Sequence, residues 1–248
     1  FVLSEFKKNK IKINGIIDKT RPTTNKNTII SSGYKLLKID KVDNQPISEK
    51  IFENIKSLIK KEKCDVIIFS DFRHGIFNKT NIKILSNSIK KNVIKVADSQ
   101  VASRWGNILD FKKFDLITPN EKEVRFSLAD QDSSISELTR ELSKLSGFKN
   151  LILKLGERGT ITVAKQNNSL SFATPSFTKN VIDAVGAGDA LLAYASLCLA
   201  SSKSIVSSNI LGSIAAACEC EMEGNIAVKK SMIIDKINDL EKSSKFNI

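Results

Sequence analysis

An acid on each side of a glycine-rich turn is the strongest chemical pattern in this chain: residues 183–190 read DAVGAGDA and run straight into the apolar stretch LLAYASLCLA. Gly186 and Gly188 let successive backbone N–H groups point at one spot, and the helix that must follow adds partial positive charge there. Such a turn holds an anion. Asp189, in the first turn of that helix, is placed to accept a proton from a hydroxyl while a phosphoryl group rests on the amides. A bare glycine-x-glycine usually does no more than let a helix pack closely. The flanking acids, Asp183 and Asp189, are what favour chemistry here.

Three further segments sit where strands should end. The run TPNEKEV at 118–124 follows DLIT and sets Asn120 and Glu123 three residues apart. That spacing suits groups near a phosphate, and it equally suits a helix capping box. KLGERG at 154–159 follows NLILKL. Gly156 permits close backbone approach and Lys154 can reach a phosphate as a point charge, although a β-turn needs glycines such as Gly156 and Gly159 for its own reasons. SDFRHG at 70–75 closes the run DVIIFS. Doubly wound sheets hold ligands beyond the carboxyl ends of their strands, so Asp71 is a candidate and His74, the one histidine, a weaker one.

The elements that would position these residues follow from periodicity. From residue 46 onward, helical patterns at 49–61, 80–91 and 134–145 alternate with short β-branched runs at 65–70, 93–98, 115–118 and 150–155. This alternation predicts an α/β fold, a doubly wound parallel sheet flanked by helices. A hairpin is expected at 160–163 and 170–172, followed by helices at 187–200, 204–221 and 231–242. Residues 13–40 instead alternate apolar and polar around turn signals, which predicts a small antiparallel β appendage. No linker or internal repeat marks a second domain, so residues 1–248 are expected to form one.

Composition narrows the functional classes. The formal charge of +12 is spread over scattered lysines with no interleaved aromatic residues, so it reads as solvated surface rather than a nucleic-acid face. Cys64, Cys198, Cys218 and Cys220 keep no metal-ligand spacing, and a single histidine cannot supply a multi-histidine site. No apolar run is long enough to span a membrane and no signal peptide opens the chain, which makes the cytoplasm the expected location.

In this order along the chain, the segments resemble the PfkB (ribokinase-like) family of carbohydrate kinases. Residues 183–189 match its D-T-x-G-A-G-D pattern except at Ala184, residues 119–123 match P-N-x-x-E, and 154–159 match K-x-G-x-x-G. Within the family the heptose 7-phosphate kinase branch is the nearest likeness. RPTTNKN at 21–27 resembles its T-T-x-K-x-R, and 70–75 its S-D-Y-x-x-G. The resemblance implies ATP and Mg²⁺, possible use of K⁺, and a sugar-phosphate acceptor. It implies an anion hole at Gly186, Ala187 and Gly188, with Asp189 as base. Asn120, Glu123, Lys154, Gly156 and Gly159 would serve the nucleotide phosphates, Glu123 holding magnesium through water. Asp183 would steady the loop and a monovalent cation. Arg21, Lys26 and Asp71 would join Asp189 at the sugar, the β appendage acting as a lid and as the clasp of a homodimer.

By the same resemblance the reaction is transfer of the ATP γ-phosphoryl group to D-glycero-D-manno-heptose 7-phosphate, forming the 1,7-bisphosphate for lipopolysaccharide precursors. Another sugar or nucleoside kinase of the family, or a non-catalytic nucleotide- or sugar-binding fragment, is the alternative. Two departures bear on this. Asn25 and Asn27 leave the T-T-x-K-x-R motif without its arginine. DSQV at 98–101 stands where the branch reads D-P-K, so a basic residue expected near a phosphate is missing. The family's G-G-x-x-N sugar segment is expected to lie before Phe1, which predicts exposed apolar surface along a sheet edge.

Overall fold

A computed structural model describes residues 2–32, 34–100, 106–165, 170–224 and 226–243. Val101, the last residue of the 98–101 departure, and Asn225 lie outside them, as does Phe1. The chain divides into two compact units, Phe1–Lys63 with Arg73–Lys91, and Cys64–Phe72 with Asn92–Ile248.

The first unit opens with α1 (Val2–Lys8) and carries a two-stranded antiparallel ribbon, β1 (Asn25–Ser31) and β2 (Tyr34–Lys41). Every residue of β1 is exposed, and its register with β2 shifts between Ile29 and Ile30. The alternation at 13–18, which predicts a strand, does not form one. Gly15 weakens extended structure there, and side chains hold the segment instead. Lys12 Nζ and Asn14 Nδ2 donate to Glu62 at 3.1 and 2.6 Å, just beyond α2 (Glu49–Lys61). A second helix, α3 (Lys79–Ser88), buries Ile82 and Leu85.

In the second unit the expected alternation produces a sheet in the order β3 (Val66–Asp71), β4 (Ile94–Ser99), β5 (Leu116–Ile117), β6 (Asn150–Lys154), β7 (Thr160–Ala164), β8 (Leu170–Thr174). The sheet is mixed rather than wholly parallel: β3 to β6 run parallel, whereas β7 and β8 are added antiparallel by the hairpin. Ile68 and Phe72 are exposed at the β3 edge, while Phe69 beside them is buried against the edge-to-face rings of Phe111 and Phe114.

Helices flank the sheet. α4 (Glu121–Leu128) and α5 (Ile135–Ser146) contact the short helical turn Ile108–Asp110. α6 (Ala187–Ser202) places Leu191, Leu192, Ala195 and Leu199 against Val96, Leu116 and Ile152 of β4, β5 and β6. Those positions form one helical stripe, so burying them fixes which way α6 faces. α7 (Ile205–Cys220) crosses α6 closely because Gly212 lacks a side chain. A Cβ there would lie 3.0 Å from the Leu191 carbonyl. Asn209 of α7 is buried between Thr160 and Thr174, which ties the helix to β7 and β8. α8 (Lys230–Ser243) packs Ile233 onto Ile214, Ala215 and Cys218.

Candidate active site

Most helices here begin with a capping side chain. Ser48, Asn78, Asn120, Ser134 and Ser204 each accept the N3 amide of the helix they open. α6 does not. Its N-cap is Gly186 at φ +93°, with no side-chain cap, and the Ala187 amide turns back to the Ala184 carbonyl at 3.4 Å. Asp189 occupies that turn and is exposed. The preceding loop is anchored from below, the amides of Ile182 and Asp183 both donating to the Cys220 carbonyl at 2.8 and 3.2 Å. Asp183 folds the loop on itself by accepting the Val185 amide at 3.2 Å.

Lys154 ends β6 and brings a cation to the same place. Its Nζ lies 3.3 Å from the point where a Cβ on Gly188 would stand, so any side chain at 188 would displace the ammonium. Nζ donates to both carboxylate oxygens of Asp98 at 3.1 and 3.3 Å. Burial alone pulls the pKa of this ammonium down. Asp98, Glu123 and Asp189 together outweigh that, so the net shift is upward and Lys154 stays charged. All three acids act on the charge of Lys154, and Gly188 of the glycine turn lies against its ammonium.

Asn120 and Glu123 realise the capping box in full: the Asn120 amide donates to Glu123 Oε2 at 2.7 Å, and the Glu123 amide to Asn120 Oδ1 at 2.8 Å. The capping box is thus present, and it fixes a buried carboxylate whose charge acts on Lys154. A parallel bridge between Asn120 and Lys154, with the Lys154 amide donating to the Pro119 carbonyl at 2.9 Å, locks the two segments together. Gly159 closes the 154–159 turn at φ +84°, where a Cβ would stand 2.1 Å from the Thr174 carbonyl oxygen. Gly156 opens onto empty space, and Arg158 and Arg125 converge on Glu121, joining that turn to α4.

Other expected residues have contacts of their own. Asp71 is buried at the end of β3 and accepts Asn107 Nδ2 at 2.9 Å; Ser99 in turn donates to Asn107. Arg21, in the first unit, is held by Asp43 and by the Gln45 carbonyl. His74 Nδ1 lies 3.1 Å from Asn44 Oδ1, and Lys26 is exposed on β1.

Two residues that sequence reasoning passed over belong to the cluster. Asp98, next to last in β4, also accepts Thr118 Oγ1 at 3.1 Å. Glu219 is 2% exposed, and its Oε1 has no hydrogen-bond partner among the described residues. Burial raises the Glu219 pKa and the charges of Asp183 and Asp189 add to the rise, while the Ile226 amide offsets part of it. The signal for both was an acid where the pattern demands an apolar residue: at the end of VIKVAD, and inside AAACEC. Among the described residues no group of three or more His, Cys, Asp or Glu is arranged to hold a metal ion, and no helix is long and apolar enough to cross a membrane.

A mixed sheet flanked by helices, with a glycine turn opening α6, defines a protein of ribokinase-like fold. Ribokinase from Giardia lamblia superposes with a TM-score of 0.75 at 15% identity, over 96% of this chain and 78% of that one. Ribokinase from Thermotoga maritima gives 0.73 at 19%, over 96% and 76%. Phosphofructokinase-2 from Escherichia coli, in complex with potassium, gives 0.68 at 16%, over 83% and 67%. The chain belongs to the pfkB family of carbohydrate kinases, whose model matches residues 1–231. Its curated relatives include the bifunctional protein HldE of Sulfurimonas denitrificans, 27% identical over 93% of this chain and 48% of that protein. HldE of Campylobacter jejuni strain RM1221 is 29% identical over 89% and 49%. The chain thus spans about half the length of the curated relatives it matches.

Proposed function

We propose that this chain transfers the γ-phosphoryl group of ATP to a hydroxyl of a sugar phosphate, with D-glycero-D-manno-heptose 7-phosphate as acceptor and its 1,7-bisphosphate as product. The observation that carries the reading is the convergence of Lys154, Glu123 and Asp189 on the uncapped glycine turn of α6. In-line transfer needs donors on the transferring group, a cation against its charge, and a base beside the attacking oxygen. The α6 amides, Lys154 and Asp189 fill those roles in turn. Asp189 takes the acceptor hydroxyl's proton as the new O–P bond forms, and ADP leaves with the electrons of the broken bond. The HldE relatives and the heptose-kinase likeness of residues 21–27 and 70–75 favour heptose over other sugars.

Magnesium fits the residues present. A hydrated Mg²⁺ is commonly held by one or two carboxylates and the substrate phosphates, and Glu123 offers one buried carboxylate there. When bound, the ion neutralises phosphate charge. A monovalent cation fits Asp183 together with Glu219, whose buried, unpartnered Oε1 calls for a positive charge or a proton.

The ribbon supports a homodimer. Ile29, Ile30, Tyr34, Leu36, Leu37 and Ile39 all stand exposed on two strands, and a second copy would cover them.

The test is a coupled ADP-release assay on the full-length protein with heptose 7-phosphate, fructose 6-phosphate, ribose and nucleosides. Turnover with the heptose at least about tenfold above the others is expected. Equal or better turnover with another acceptor would replace the sugar and keep the kinase, whereas no turnover with any acceptor would sink the reading.

A further inference from the structure

We propose that Asp98 is a positioning residue for phosphate capture: it holds the Lys154 ammonium against Gly188, so that one lysine on β6 supplies the cation that Gln100 does not. The inference rests on the phosphoryl-transfer reading of this site and adds a residue to it.

Three neighbouring strand ends build the arrangement. Asp98 is the penultimate residue of β4, Thr118 follows β5, and Lys154 ends β6, three adjacent parallel strands. Asp98 is 5% exposed and is fixed from one side by the Thr118 hydroxyl at 3.1 Å. Thr118 is itself set in place by its amide, which donates to the Ala97 carbonyl at 3.1 Å. The carboxylate then takes Lys154 Nζ at 3.1 and 3.3 Å. An ammonium has three N–H donors, and two reaching Asp98 leave one for the Gly188 side. A lysine side chain loses more rotamer freedom than most when ordered, so a fixed carboxylate at its tip pre-organises the cation before any ligand arrives.

The position matters because the motif's expected basic residue is absent at 100, where the chain has Gln100. The charged groups facing Lys154 are Asp98, Glu123 and Asp189. Glu123 is committed to the α4 cap through one oxygen, whereas Asp98 takes the ammonium on both of its carboxylate oxygens. Without Asp98, burial would act on Lys154 with less opposition, and the lysine would lose its proton at lower pH.

The experiment measures MgADP binding by calorimetry in the full-length protein, with thermal melts for each variant. Lys154→Met is expected to weaken MgADP about tenfold or more. Asp98→Asn should weaken it several-fold, and the double variant should bind no worse than Lys154→Met, since Asp98 acts through Lys154. In turnover assays Asp98→Asn should also bring the alkaline limb of kcat/KM to lower pH. Thr118→Val, isosteric and one hydrogen bond poorer, serves if Asp98→Asn does not fold, with a loss of about threefold in the same direction. Additive losses in the double variant would overturn the assignment, as would a lowered melting temperature with MgADP affinity and pH profile unchanged. Failure of the wild type to bind MgADP would overturn the kinase reading and this inference with it, a result distinct from binding with additive losses.

Discussion

The C-terminal edge of the sheet and the β1–β2 ribbon are opposites. At the edge, polar groups that would ordinarily face water are buried: Asp98, Thr118 and Glu123 are each 5% exposed or less, and each has a named partner. On the ribbon, apolar groups that would ordinarily be buried are in the open, Leu36 at 64% and Tyr34 at 74%. Burying polar groups costs stability unless they are paired, so the edge is rigid and specific. Exposing apolar groups on a two-stranded ribbon gives up stability that a partner would restore. One region pairs its polar groups within the chain, and the other leaves apolar groups open to solvent.

The sharpest test of the edge is Asp189→Asn, which should lower kcat about 100-fold or more while MgADP affinity stays within about threefold. Turnover near wild type would remove Asp189 from the chemistry. Rigidity of the same edge is tested by Gly159→Ala, whose Cβ would stand 2.1 Å from the Thr174 carbonyl at a positive φ. A loss of about 3 kcal/mol or more in chemical denaturation is expected, and a loss under about 1 kcal/mol would show the turn to be adaptable.

The ribbon is tested by placing charge on it. Leu37→Asp with Ile39→Asp should shift sedimentation from dimer to monomer and leave the melting temperature of the sheet unit within a few degrees. An unchanged sedimentation coefficient would show that the ribbon is not the clasp. The smallest effect is expected at Glu219. Its folded pKa is raised, so the stability tied to its protonated form is present below the unfolded value near 4.5 and is lost as pH rises through the folded value. Glu219→Gln should therefore melt about 3 °C higher than wild type at pH 8 in a tetramethylammonium buffer, with no gain at pH 4. Potassium chloride should raise the wild type and not the variant, and equal responses to potassium would detach Glu219 from any cation.

Much of this was legible in the sequence because it is written in local rules. Helix α4 announces itself by Asn120 and Glu123, which form the capping box their spacing suits. The glycine turn before α6 was equally readable, since only glycine tolerates φ near +93° without strain. What escaped was non-local. The strand expected at 13–18 failed because Lys12 and Asn14 found Glu62, some fifty residues on. Asp98 escaped because its meaning depends on a lysine 56 residues away that β5 brings within 3.1 Å. Periodicity shows that a strand ends, and it cannot show which strand ends next to it.

The close crossing of α6 and α7 at Gly212 has a consequence in time as well as in space. The two helices are consecutive, joined by a turn at Lys203 and Ser204, so their contact is among the most local in the molecule and is expected to form early. The seat of α6 on β4, β5 and β6 joins segments some forty to a hundred residues apart and must come later. Asp189 stands on the first turn of α6, where the early contact ends and the late one begins. A folding intermediate with the α6–α7 pair formed and the sheet incomplete would protect the amides of Leu191 to Leu199 while leaving those of β4 to exchange. In such a species Asp189 would be on its helix without Lys154 near it, so any kinase activity should return during refolding after helical signal does, and not with it.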